Sequence, residues 1–317
     1  MMRTAFSMLS PKGARARLSI LIFHRVLPRQ DPLFPSEVHA AVFDRMCSWV
    51  AAWFNVLPLD IAVAQLQDGS LPDRALAITF DDGYADNFDV ALPILARHGL
   101  PATFYIATGF LDGGRMWNDT VIESVRLANR PALELASLGV DGLGLLPLGS
   151  TAQRQAAIAA ILGRIKYRTT EERLRLVAAI AEHAGAVLPN DLMMRSDQVL
   201  GLHRAGMQIG AHTVSHPILA KLNAAHARRE IGQSKQALEA LLGERVGLFA
   251  YPNGVPGKDY SDETLALVRE LGFDSAVTTG WGAARRGTNV FALPRFSPWD
   301  RTRSRYGLRL LRNLWTP

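Results

Sequence analysis

The chain carries 317 residues, 48% of them hydrophobic, and a formal net charge of +6. That length and apolar content suit one large domain with a substantial core and exclude a disordered or fibrous chain. Cys47 is the only cysteine, so no internal disulfide exists; the basic residues are scattered and accompany no nucleic-acid-binding motif, so the charge does not imply a nucleic-acid partner.

Residues 1–16 lack an apolar stretch long enough for a signal peptide, and no segment is long and apolar enough to span a bilayer. The cytoplasm is therefore the expected location. Strand-like runs at 18–23, 75–80, 103–107, 207–211, 246–250 and 274–278 alternate with amphipathic helical segments such as 88–98 and 224–242. This alternation predicts an α/β fold with parallel strands and helices outside.

From about 112 to about 197 the alternation stops. Helical stretches are expected at about 119–129, 151–166 and 170–184, with a loose connection from Gly142 to Gly149. We read this as a helical insert on a single domain spanning 1–317, forming one wall of a cleft. Trp117 opens it and suits a sugar-stacking platform, although an aromatic at a helix start more often serves packing. The tail, about 301–317, is basic and amphipathic, with Arg301, Arg303, Arg305, Arg309 and Arg312 among leucines. Two readings compete: a helix packed on the domain with its arginines in solvent, the more ordinary one, and a peripheral helix lying on an anionic membrane surface.

The chemistry concentrates at two strand ends. The apolar run to Phe80 stops abruptly at Asp81-Asp82-Gly83, and two adjacent carboxylates resist joint burial unless a cation takes one of them. A second apolar run, Met207 to Ala211, ends in His212-Thr213-Val214-Ser215-His216-Pro217. One carboxylate with two imidazoles makes a three-ligand facial set that leaves room for water and substrate. The helical zinc-protease motif is excluded, because Thr213 stands where its glutamate would be and Pro217 biases His216 away from helix. A lone histidine is usually just hydrogen-bonded; two beside an acidic pair favour a site.

Thr79-Phe80-Asp81-Asp82-Gly83 and His212 to Pro217 resemble the first two motifs of the polysaccharide deacetylase family (the NodB-homology domain). Softer likenesses at Ala91-Leu92-Pro93-Ile94-Leu95 and Gly99 to Tyr105 extend the resemblance over roughly 18–298. It implies an irregular (β/α) barrel, with Asp81 as general base and Asp82, His212 and His216 as metal ligands. It also implies a divalent cofactor, zinc first, with nickel, cobalt, manganese or iron accepting the same set. The expected reaction is hydrolysis of an N-acetyl group on an amino-sugar oligo- or polysaccharide, or on a lipid-linked precursor.

The family's third motif is altered. Where an arginine usually precedes a Pro-Tyr-Gly-like turn, this chain reads Ala250-Tyr251-Pro252-Asn253-Gly254. Tyr251 and Asn253 are expected to line the substrate site, with a backbone N–H near Asn253 facing the oxyanion. Arg295 is the expected substitute partner for Asp81, against the plain alternative of a solvated arginine. All eight histidines lie at or before position 226, so the family's usual late acid is missing. Leu18 to His24 resembles the opening strand of the poly-N-acetylglucosamine deacetylases, whose N-terminal histidine is the acid, and that assigns His24 the role here. Two other classes compete: a non-catalytic carbohydrate-binding relative, and a magnesium-dependent phosphate-processing enzyme built on Asp81-Asp82. The intact Asp81 opposes the first, and the imidazoles oppose the second.

Overall fold

A computed structural model describes residues 2–140, 142–297 and 299–316. Its strands are β1 (Arg17–Phe23), β2 (Asn55–Val56), β3 (Ala75–Phe80), β4 (Thr103–Ile106), β5 (Ala132–Glu134), β6 (Leu145–Pro147), β7 (Gln208–Ala211), β8 (Leu248–Ala250), β9 (Ser275–Val277) and β10 (Ala284–Arg285). β1 and β3 are apolar and buried along almost their whole length, the signature of parallel strands covered on both faces.

The main sheet runs β10-β1-β3-β4-β7-β8-β9. All pairings are parallel except that of β10, which meets only Arg17 and Leu18 at the start of β1. β2 and β4 share the other edge of β3, one at Ala75 and Leu76, the other at Thr79 and Phe80. The sheet curls until residues 293–296 close it. Leu293 donates to Ala276 at 3.0 Å and its carbonyl accepts from Thr278 at 2.9 Å, while Phe296 exchanges two 3.1 Å bonds with Ile20 and Ile22 of β1. The result is the irregular (β/α) barrel expected, with Arg295 in the closing segment.

Because the strands are parallel, the carboxyl ends of β1, β3, β7 and β8 open at one mouth, where barrel sites are built. Outside, Phe80 stacks on Phe104 at 4.8 Å and on Phe23 at 5.4 Å, and Phe43 of the helix Ala40–Trp53 meets it edge-on. Alternate residues Ala75 and Ala77 join Ile20, Tyr105, Ala250 and Val277 in a second cluster. With a period of two, Thr79 and Asp81 continue that same face.

The tail helix, Arg303–Trp315, buries Tyr306, Leu310 and Leu314. Asn313 donates to Ser19 of β1 at 3.2 Å, and Arg303 lies 5.4 Å over the Trp53 ring. The buried stripe of the helix packs on the protein, while Arg305, Arg312, Leu308 and Trp315 stay exposed. No helix among the described residues is long and apolar enough to cross a membrane.

The insert forms a compact unit of its own from Gly113–Met193 together with Gln30–Pro35. Its helices are Trp117–Leu127, Thr151–Ile165 and Thr170–Ala184, with Leu33, Val121, Ile161, Leu176 and Ile180 in its core. A reciprocal cap between Ser150 and Gln153 starts the second helix. The connection expected to be loose contains β6, which pairs antiparallel with β5; a three-residue strand is too short to show a period. Asp141, which precedes it, lies outside the described residues. Residues 30–35 join this unit through the Asp31–Arg126 pair at 2.6 Å, a contact across 95 positions that no local pattern encodes.

Candidate active site

Asp81 leaves β3 pointing into the barrel, and its N–H still donates to Phe23 at 2.9 Å. Arg295 grips it with two bonds, Nη1 to Oδ1 at 2.8 Å and Nη2 to Oδ2 at 2.7 Å. Arg295 also donates to Thr79 Oγ1 (3.0 Å) and to the Thr278 carbonyl (2.9 Å). The guanidinium is fully buried, which overturns the solvated alternative. Burial raises the Asp81 carboxyl, but Arg295 and then His212 outweigh it, and the carboxyl stays below its ordinary value.

At Asp82 the backbone turns to a φ of +79°, which breaks the strand period and sends the second carboxylate elsewhere. Its Oδ1 lies 3.4 Å from Nε2 of both His212 and His216. Among the described residues this buried oxygen has no hydrogen-bond partner. His212 directly follows β7, and its Nδ1 lies 2.8 Å from the Ala250 carbonyl. That contact requires Nδ1–H, so in the neutral ring Nε2 presents its lone pair towards Asp82. One donor atom from each of Asp82, His212 and His216 falls within 4.8 Å of the others. An orphaned carboxylate oxygen facing two imidazole nitrogens fits a small divalent ion.

The electrostatics of Asp82 and His216 suit ligation. Burial raises Asp82, but the His212 contact holds it well below the carboxylate range. Burial lowers His216 to about 4, keeping that ring neutral. For His212 burial is outweighed by Asp82 and Asp81, and the ring is raised.

The His212–His216 loop is held from both sides. Glu230, on the helix Ala224–Leu242, accepts from the N–H groups of Val214 (3.0 Å) and Ser215 (2.8 Å) and from the Ser215 hydroxyl (2.7 Å). Opposite, Thr108 and Gly109 donate to Thr213 and Val214 at 3.1 and 2.8 Å. A Cβ on Gly109 would lie 2.7 Å from the Val214 carbonyl, so only glycine allows that approach. Six non-glycine residues with positive φ occur among the described residues, and Asp82, Thr213, His216 and Asn253 are four of them. Such conformations cost about 1–3 kcal/mol each and persist only where the surroundings enforce them.

His24 directly follows β1 and is exposed, at the same mouth as Asp81 and Asp82. A charge on its ring lowers both carboxyls and His216. Asn253 adopts a φ of +59°, its carbonyl accepts from Thr279 at 2.8 Å, and its own N–H has no partner among the described residues. Tyr251 corrects expectation. It is fully buried, stacked 3.9 Å from Tyr260, with its hydroxyl donating to the Phe291 carbonyl at 3.0 Å and its N–H to Val277. It is a core residue and offers no atom to a substrate. Trp117 belongs to the insert, where the Arg173 guanidinium lies 5.0 Å over its ring. Glu230 escaped the sequence reading, because a glutamate on a polar helix face gives no sign that it supports a loop fourteen or more residues away.

The polysaccharide deacetylase family profile matches residues 68–131 and 152–276, more than half of the chain. The chain belongs to the polysaccharide deacetylase family. YxkH of Bacillus subtilis (strain 168), a curated protein named for the same family, is 22% identical over 282 residues, covering 88% of this chain and 71% of YxkH. Among solved structures, the Streptococcus pyogenes deacetylase PplD superposes with a TM-score of 0.62 at 19% identity, over 95% of this chain and 99% of PplD. IcaB from Ammonifex degensii gives 0.59 at 17% identity, over 94% and 98%. At such identities the likeness is one of fold, and it agrees with the barrel closed at 293–296.

Proposed function

We propose that this polysaccharide deacetylase is a metal-dependent hydrolase that removes N-acetyl groups from an amino-sugar oligo- or polysaccharide, or from its lipid-linked precursor. One observation carries the proposal: a carboxylate locked by a buried arginine stands beside a separate Asp-His-His set. The two adjacent acids thus have different tasks. A divalent ion held by Asp82, His212 and His216, zinc by ligand type, would polarise the acyl oxygen and acidify the attacking water.

Asp81, kept ionised by Arg295, takes the proton from that water. Arg295 fixes both carboxylate oxygens, so the base is oriented before substrate arrives. The free N–H of Asn253 donates to the oxygen that gains charge. His24 gives a proton to the amine nitrogen as its bond to the acyl carbon breaks. The products are a free amine and acetate. A non-catalytic binding protein has no use for a general base clamped in this way, and a magnesium phosphate enzyme would favour oxygen over imidazole.

Mass spectrometry of a panel of N-acetylated oligosaccharides, incubated with zinc-loaded protein, tests the reading. Loss of one or more acetyl masses that a chelator suppresses supports it. A panel that returns unchanged, with zinc bound at one equivalent, refutes it.

A further inference from the structure

His24 lies at a strand end whose backbone is fixed by two consecutive residues from the loop beyond Asp82. Asn87 Nδ2 donates to the His24 carbonyl at 2.9 Å. Asp86 accepts from the Val26 N–H at 2.9 Å and from Arg25 Nε at 2.8 Å. The Arg25 guanidinium also lies 4.6 Å over the Tyr84 ring. Residues 24, 25 and 26 are therefore each held by the segment 84–87, which continues directly from Asp81-Asp82-Gly83.

Asn87 is fully buried, and its Oδ1 has no partner among the described residues. A buried unsatisfied carbonyl costs about 1–3 kcal/mol. Flipping the amide would not relieve this, because it would set oxygen against the His24 carbonyl. The amide stays at this position for its donor side. A π-helical turn, Asn87–Ala91, begins at this residue, an irregularity that recurs at functional sites.

We infer that Asn87 and Asp86 are positioning residues for the general acid: they fix the main chain of residues 24–26, and with it the direction of the His24 ring, relative to the carboxylates on the same loop. One loop then carries the base and the ligand and also sets the acid. The inference rests on the deacetylase reading and on His24 as the acid.

The test uses two substrates on the zinc-loaded protein. A chitooligosaccharide needs its amine protonated on departure, whereas 4-nitrophenyl acetate releases a stable aryl oxide and does not. Asn87→Leu, close in size but without the donor, should lose on the order of 10–100-fold in kcat on the amide and less than about threefold on the ester, a selective share of general-acid catalysis. Zinc stoichiometry should not change. Asn87→Ser, too short to reach the carbonyl, should repeat the pattern if the leucine variant fails to fold. Equal losses on both substrates, or full amide turnover in both variants, would overturn the inference. His24→Ala separates the two levels. If that variant is not amide-selective, the assignment of the acid fails; if it is and the Asn87 variants are not, only the positioning role fails.

Discussion

Arg295 and Asp81 are 214 positions apart in sequence and form a two-bond pair in which both partners are almost completely buried. Arginine's planar fork matches a carboxylate in a way that lysine's single ammonium does not. The pair exists only because residues 293–296 close the barrel between β9 and β1. In this chain the arginine that grips Asp81 is supplied by the closing segment rather than by the turn after β8.

Asp81→Asn should lower turnover by on the order of 10²–10⁴-fold, because the proposed proton acceptor is gone. Zinc content should remain at one equivalent, since Asp81 stands outside the Asp82-His212-His216 set. Elemental analysis alongside kcat decides this; loss of metal in the variant would show that Asp81 ligates. Arg295→Leu leaves a buried carboxylate without its cation, at about 3–5 kcal/mol of stability. Its denaturation midpoint should fall sharply, and that of Arg295→Lys less.

Dialysis against a chelator should abolish amide hydrolysis, and zinc should restore it. His216→Ala should fail to recover under the same zinc concentration, because two ligands hold the ion far less tightly than three. Unchanged turnover after metal analysis shows an empty protein would remove the metal from the reaction.

Glu230→Ala frees two N–H groups and a hydroxyl in the loop that carries His216. Groups that orient ligands typically contribute 10–100-fold to metal affinity, and a drop of about that size is expected here. Zinc titration by calorimetry measures it. Glu230→Gln should retain part of the affinity, because its amide oxygen still accepts from the backbone.

Tyr251→Phe removes a buried bond to the Phe291 carbonyl, at a cost of about 1–2 kcal/mol. The kcat and KM of the folded variant should match the parent, since the Tyr251 side chain is fully buried in the core. A rise in KM alone would return Tyr251 to the binding site.

Burial pushes the Cys47 thiol well up from its usual value. Only the thiolate reacts readily with disulfide reagents. Native protein at pH 8 should therefore resist labelling, and the labelling rate should follow unfolding as denaturant is added. Prompt labelling without denaturant would mean that the helix Ala40–Trp53 opens.

Much of the site was legible from local pattern. An apolar run ending in Asp81-Asp82-Gly83, and another ending in His212, place polar groups at strand ends whatever the surrounding fold, because a buried strand cannot carry unpaired charge along its length. Parallel strands then bring those ends to one mouth. The tail helix was readable from its spacing, since Tyr306, Leu310 and Leu314, four residues apart, share one buried face.

Other features were decided only in three dimensions. Whether Arg295 is solvated or clamped on Asp81 depends on the bridges at Leu293 and Phe296, not on its neighbours in sequence. Tyr251 lies in a turn that looks like a substrate wall, yet its ring turns inward onto Tyr260. Glu230, Asp86 and Asn87 bond to loops between 15 and 63 positions away. Local sequence sets backbone propensity and the period of burial, which are properties of neighbours along the chain. A hydrogen-bond partner brought in by barrel closure is a property of neighbours in space, and no short pattern records it.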